Sequence, residues 1–165
     1  MASDPVLSAD QRAFLGPARR AVLATIAPDG HARLVPICFT LDPARPILYT
    51  PIDDKPKRAD DPLALARVRD IAADPRVTVL VDRWDEDWTR LAWLRGRGVA
   101  VPLDPTDDAR ELATAVTALR DKYAQYATHR LETRPLIRIT LERVTTWGAL
   151  GADHSALDHS ARGTG

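Results

Sequence analysis

Apolar residues along this chain recur mostly with the short period of β-strands. Arg20 to Ala27 reads RAVLATIA, a run too short to be read as a helix. Pro28-Asp29-Gly30 follows, and then a second run, HARLVPICFTL. Two strand-like runs joined by a P-D-G turn predict a β-hairpin. Asp42 to Pro46 reads as another turn, and Pro46 to Ile52 as a third strand. In RVTVLVD, Val77, Val79 and Val81 alternate with Thr78 and Leu80, and the near-continuous apolarity predicts a central strand covered on both faces. LAWLRGRGVAVPL gives a fifth strand, whose Gly96 and Gly98 suggest a bulge or sharp coil. PLIRITLERVTTW sets Ile137, Ile139 and Leu141 against Arg138, Thr140 and Glu142, the pattern of a half-exposed sixth strand.

The longer period marks the helices. SADQRAFLGPARR predicts a short one, with Ser8 as cap, Gln11 three places on and Gly16-Pro17 as the stop. Ala64, Val68, Ile71 and Ala72 predict another between Ala59 and Ala73, with Asp61 and Pro62 as cap and first residue and Asp74-Pro75 as its end. Leu112, Val116, Leu119 and Tyr123 predict the longest, over Asp107 to Tyr126, with Thr106, Asp107 and Asp108 favouring its start. Six strands with turn-linked antiparallel pairs and few helices between them point to a closed or nearly closed barrel, not a doubly wound sheet.

Length, charge and chemistry narrow this picture. At 165 residues the chain suits one domain with a proper core. Lys plus Arg equal Asp plus Glu at 23 each, so no global charge draws it to nucleic acid or to an anionic membrane. Cys38 is the single cysteine, which excludes an intramolecular disulfide and fits a reducing, cytoplasmic setting; in an apolar strand it reads as a small core residue. No stretch matches a signal peptide or a membrane span. His31, His129, His154 and His159 are scattered, and the acids Asp82, Asp85, Glu86 and Asp87 read as a solvated loop before a metal site. The fingerprints GxGxxG, GxxxxGK[ST] and GxSxG are absent.

The stretch with the most chemical promise is YTPIDDKPKR, Tyr49 to Arg58, which leaves a strand and arrives at three cations within four residues. Clustered charge-assisted donors at a strand's end suit a phosphate; a solvated surface run is the competing reading. Together, LVPICF, YTPIDDKPKR, RDIAADPRVTVLVD and DEDWTRLAWLRGRG resemble, in order and spacing, the deazaflavin-dependent branch of the pyridoxamine 5′-phosphate oxidase-like split-barrel oxidoreductases. The resemblance runs from about Arg20 to Trp147.

It implies a six-stranded antiparallel split β-barrel over residues 20–147; the residues on either side read as a helical brace before it (1–19) and, being small and polar, a flexible tail after it (148–165). It further implies a homodimer with coenzyme F420 in the groove between subunits, acting on a small-molecule substrate. Leu34, Val35, Pro36, Ile37, Thr50, Pro51 and Ile52 would line the ring site. Lys55, Lys57 and Arg58 would hold the phosphate, with Asp53 and Asp54 orienting them. Trp88 and Trp147 would be further contacts, Trp84 shares with Trp88 the role of ring cover, and Trp93 reads as a dimer-core residue. The reduced deazaflavin would give a hydride to an electron-poor C=C or C=N bond; no residue is identified as the catalytic acid. After PKR the chain reads ADDPLALARV, less basic than the family's pattern. Flavin mononucleotide, with its shorter phosphate-ended tail, fits the same corner, and a non-catalytic carrier of either cofactor is the alternative to an enzyme.

Overall fold

A computed structural model describes residues 7–52 and 65–151. Helix α1 (Ala9–Leu15) opens on the predicted capping box: the Ser8 hydroxyl accepts from Gln11 N, and the Gln11 side chain accepts from Ser8 N at 2.9 Å. Strands β1 (Ala21–Ile26) and β2 (Ala32–Ile37) form the predicted hairpin, with Gly30 at φ 81° in its turn. The chain continues through β3 (Thr40–Leu41), β4 (Ile47–Pro51), α2 (Ala66–Ala73), β5 (Arg76–Arg83), β6 (Ala92–Leu103), α3 (Ala109–Lys122) and β7 (Leu136–Gly148).

The strands form one sheet in the order β2-β1-β5-β6-β7-β4-β3, antiparallel throughout. Its terminal strands, β2 and β3, are consecutive in the chain with only Cys38 and Phe39 between them. The sheet therefore curls until its ends meet, giving an antiparallel half-barrel with peripheral helices.

Among the described residues seven strands stand where six were expected, because HARLVPICFTL divides. The divider is Tyr123: its hydroxyl accepts Phe39 N–H at 3.1 Å and lies 3.0 Å from the carbonyls of Phe39 and Arg19. Phe39's backbone groups thus bond to a side chain from beyond α3 instead of continuing a ladder. The long helix also ends earlier than Tyr126. It closes at Lys122, and a 3-10 turn over Ala124–Thr128 follows. Its start is shaped by Asp104, whose carboxylate accepts from Thr106 N (2.7 Å) and Asp107 N (3.2 Å), while the N-cap Asp108 makes no side-chain bond to the helix and accepts instead from Asp104 N at 3.0 Å. Asp61 and Pro62 lie outside the described residues; α2 is preceded by Leu65, which makes no side-chain cap.

Two clusters of buried side chains explain why β4 is buried along its whole length. Leu48 and Ile52 join Leu23, Phe39, Val79, Leu94 and Ile139 inside the curl, which α1 covers with Phe14 and Leu15. Ile47 and Tyr49 face the other way, against Leu112, Val116 and Leu119 of α3. The glycines predicted to mark an irregularity do so: β6 and β7 shift register between Arg97 and Gly98. A Cβ on Gly98 would lie 1.9 Å from Thr140 O, so β7 approaches there at a distance only glycine allows.

β5 is central, as predicted, but covered on one face only. Val77, Val79 and Val81 point into the core, whereas Leu80 on the opposite side is 37% exposed. The apolar outer positions that suggested burial on both faces instead form an open surface.

Candidate functional site

Alternation along the strands gathers that surface. Val22 and Ala24 from β1, Leu34 from β2, Thr78 and Leu80 from β5, and Trp93 from β6 all point outward, lining a groove of about 650 Å3. Arg20, Asp82 and Arg95 give it polar edges; Arg20 and Asp82 pair at 3.8 Å, and the Arg95 guanidinium stands 5.8 Å from the Trp93 ring centre. Leu34 is 65% exposed here. A bare apolar floor with charged margins accepts a flat, mostly apolar ring system or a second protein surface.

The residues expected to hold a cofactor divide by the same alternation. Leu34 and Pro36 face outward, whereas Val35 packs against the core and Ile37 is buried in it. Among the described strands β2 is terminal, pairing only with β1 and leaving backbone groups on its far edge; Pro36, which lacks an N–H, is tolerated there for that reason. Thr50, Pro51 and Ile52 are all buried, with Thr50 at 1% exposure and Ile52 in the inner cluster. Lys55, Lys57 and Arg58, with Asp53 and Asp54, lie outside the described residues. The chain leaves the described fold at the end of β4 and rejoins it at α2.

Trp147 is directly opposite Trp93 across β6 and β7, and it is 55% exposed. Trp84 and Trp88 are also exposed, on the connection between β5 and β6. The acids of that connection bind their own loop. Asp87 accepts from Thr89 N (3.0 Å) and Thr89 Oγ1 (2.6 Å), Asp85 accepts from Asp87 N (2.9 Å), and Asp85 pairs with Arg90 at 3.2 Å. Thr89's hydrogen bonds hold the Asp87 carboxyl below the usual carboxylate range.

Two features were not anticipated from sequence. Asp70 of α2 is 3% exposed, and its carboxylate accepts from Thr25 Oγ1 of β1 at 2.9 Å and from Arg33 Nε of β2 at 2.7 Å. It ties α2 to the strand that carries Leu34 and Pro36. An acid inside an otherwise helical pattern gave no sign of this, since most such acids face water. The second is Lys122, whose Nζ is buried with no hydrogen-bond partner, 4.2 Å from the Phe39 ring centre. Burial, reinforced by the Arg19 charge, pushes its ammonium down to about 8. Cys38 is half-buried against the α3 cluster.

This antiparallel half-barrel, with its capping helices and an open outer groove, is the pyridoxamine 5′-phosphate oxidase-like split barrel. The chain belongs to the pyridoxamine 5′-phosphate oxidase family, whose sequence pattern it matches over residues 7–148. Among solved structures, a conserved hypothetical protein from Mycobacterium tuberculosis is similar at 21% identity and a TM-score of 0.67, covering 98% of this chain and 99% of that one. An FAD-binding protein from Mesorhizobium loti is similar at 22% identity and a TM-score of 0.60, covering 85% of this chain and 92% of that one. HutZ, the heme storage protein of Vibrio cholerae, is similar at 12% identity and a TM-score of 0.59, over 82% and 89% of the two chains. At these identities the likeness is one of fold. No curated protein matches the chain in sequence. No helix among the described residues is long and apolar enough to cross a membrane.

Proposed function

We propose that the protein is an oxidoreductase that works as a homodimer, using reduced coenzyme F420 to reduce an electron-poor C=C or C=N bond of a small organic substrate. The observation that carries this reading is the outer groove. Leu34, Leu80 and Trp93 offer an apolar floor suited to a flat ring system, beside a strand whose far edge has no ladder partner among the described residues. The bare apolar outer face of β1, β5 and β6 also suits a second copy of the chain, which would wall the groove from above. When bound, the deazaflavin supplies the hydride; the protein's part is placement and electrostatics. In this reading the backbone edge of β2 meets the polar rim of the ring, and Lys55, Lys57 and Arg58 neutralise the phosphate. Trp88 and Trp147 limit access of water to the ring.

A second reading is favoured by the Mesorhizobium FAD-binding protein and by HutZ, which share the fold: flavin mononucleotide in the same groove, or a carrier that turns nothing over. Titrating the protein with F420 and with flavin mononucleotide separates the first pair. Saturable fluorescence changes at micromolar F420, with weaker response to flavin mononucleotide, are expected; the reverse order sinks the choice of cofactor. Faster reoxidation of bound, reduced cofactor on adding enones, quinones or tetrapyrroles is expected of an enzyme, and no acceleration by any of them marks a carrier. Changing Lys55 and Lys57 together to Ala is expected to lose cofactor affinity with the dimer intact.

A further inference from the structure

A second cavity, of about 590 Å3, opens on the same outer face and shares Ala24 and Thr78 with the apolar groove. Its character is different. Arg97 of β6 and Arg143 of β7 are directly opposite each other across the ladder, both exposed, at the place where the register shifts. Arg143 follows Glu142, the extra residue of that bulge, so a bulge that Gly98 makes possible sets how β7 presents both side chains. Among the described residues neither guanidinium makes an ion pair or hydrogen bond, and Glu142 is the one carboxylate on the cavity wall. Arg76, at the rim, is already neutralised through a fork of contacts to Asp74, 2.6 Å at the shortest.

Like charges facing each other across a ladder cost stability unless something of opposite sign lies between them. Two arginine forks converging on a cavity, with one carboxylate against them, match the oxygens of a phosphate or of paired carboxylates. We propose that Arg97 and Arg143 form an anion-binding site for phosphate or carboxylate groups, built from residues other than Lys55, Lys57 and Arg58. Because the cavity adjoins the apolar groove at Ala24 and Thr78, a ligand with a flat apolar head and an anionic end could reach from one to the other. A free small polyanion is the other source of the same chemistry.

The test uses the full chain carrying Lys55→Ala, Lys57→Ala and Arg58→Gln, so that the other cationic stretch is silent. Calorimetric titration with inorganic pyrophosphate at low ionic strength is expected to show one saturable site per chain. Adding Arg97→Gln and Arg143→Gln is expected to weaken it at least tenfold, and Arg97→Lys, which keeps the charge but not the fork, to weaken it less. The wild-type chain is then titrated with F420 bearing its glutamate tail and with a form lacking it. If the arginine changes weaken pyrophosphate and, of the two cofactor forms, only the tailed one, the anion is the cofactor's tail; if they weaken pyrophosphate alone, it is a free anion. Both outcomes support the site, and the pyrophosphate result holds even if F420 does not bind at all. Absence of saturable pyrophosphate binding, or equal binding with and without the arginines, overturns it. So does a change from dimer to monomer with anion binding unaltered, which would make the pair an interface contact.

Discussion

Asp70→Ala isolates the clamp that fixes α2 to the first hairpin. The carboxylate is 3% exposed and accepts from Thr25, itself 1% exposed, and from Arg33, whose side chain is 43% exposed. Breaking a fully buried ion pair costs about 3–5 kcal/mol, but Arg33 keeps contact with water, so its share is nearer the ~1.5–3 kcal/mol of a hydrogen bond to a charged group. Thr25 loses its acceptor in a dry place, which adds about 1 kcal/mol or more. The expected loss is therefore about 2–4 kcal/mol, or a fall in Tm of roughly 5–15 °C for a chain of this size. Asp70→Asn keeps an acceptor for Thr25 and is expected to cost about half as much. Urea unfolding followed by far-UV circular dichroism reads both, with the midpoint moving and the slope unchanged. A cycle with Arg33→Ala should show coupling above ~1 kcal/mol. A loss below ~1 kcal/mol for Asp70→Ala, or no coupling to Arg33, would refute the clamp.

Tyr123→Phe strips Phe39 N–H of its acceptor and is expected to cost about 1–3 kcal/mol in the same unfolding assay. Gly98→Ala forces β6 and β7 apart at Thr140 and is expected to cost about 1–3 kcal/mol, whereas Gly30→Ala has open space around its Cβ and is strained only by its positive φ. Lys122 gives a pH signature. Its folded value of about 8 lies below the ordinary 10.5, so the unfolded chain binds more protons between those limits. Stability is thus expected to rise as pH increases through that window, and Lys122→Met should stabilise the protein at neutral pH and flatten the rise.

Much of the barrel was legible because its strands obey period two and its turns carry strong local signals. Pro28-Asp29-Gly30 names its own hairpin, and Gly96 and Gly98 announced the bulge. The break at Phe39 was invisible, since it depends on a hydroxyl 84 positions away in sequence. The reading of β5 went astray for a related reason. Leu80 looks like a core residue, and nothing in RVTVLVD reveals that its cover does not come from within the described chain. For the candidate site, sequence located the strands but not which side chains face out: Leu34 and Pro36 do, Val35 and Ile37 do not, because alternation decides and a run of four apolar residues hides it. The partners of Leu34 in the groove, Val22 and Leu80, had a signal that went unread, namely apolar residues at positions where a solvated face would carry polar ones.

The meeting of β2 and β3 at the ends of one curled sheet bears on how copies of this chain can associate. Sheets aggregate most readily by adding strands to long, flat, unpaired edges. Here one edge carries Arg33 and Pro36, and the other is a strand of two residues, Thr40–Leu41, so neither offers a template for strand addition. For the dimer proposed above, this disfavours fibre-like growth and leaves the broad face of the sheet, where association can close into a finite pair.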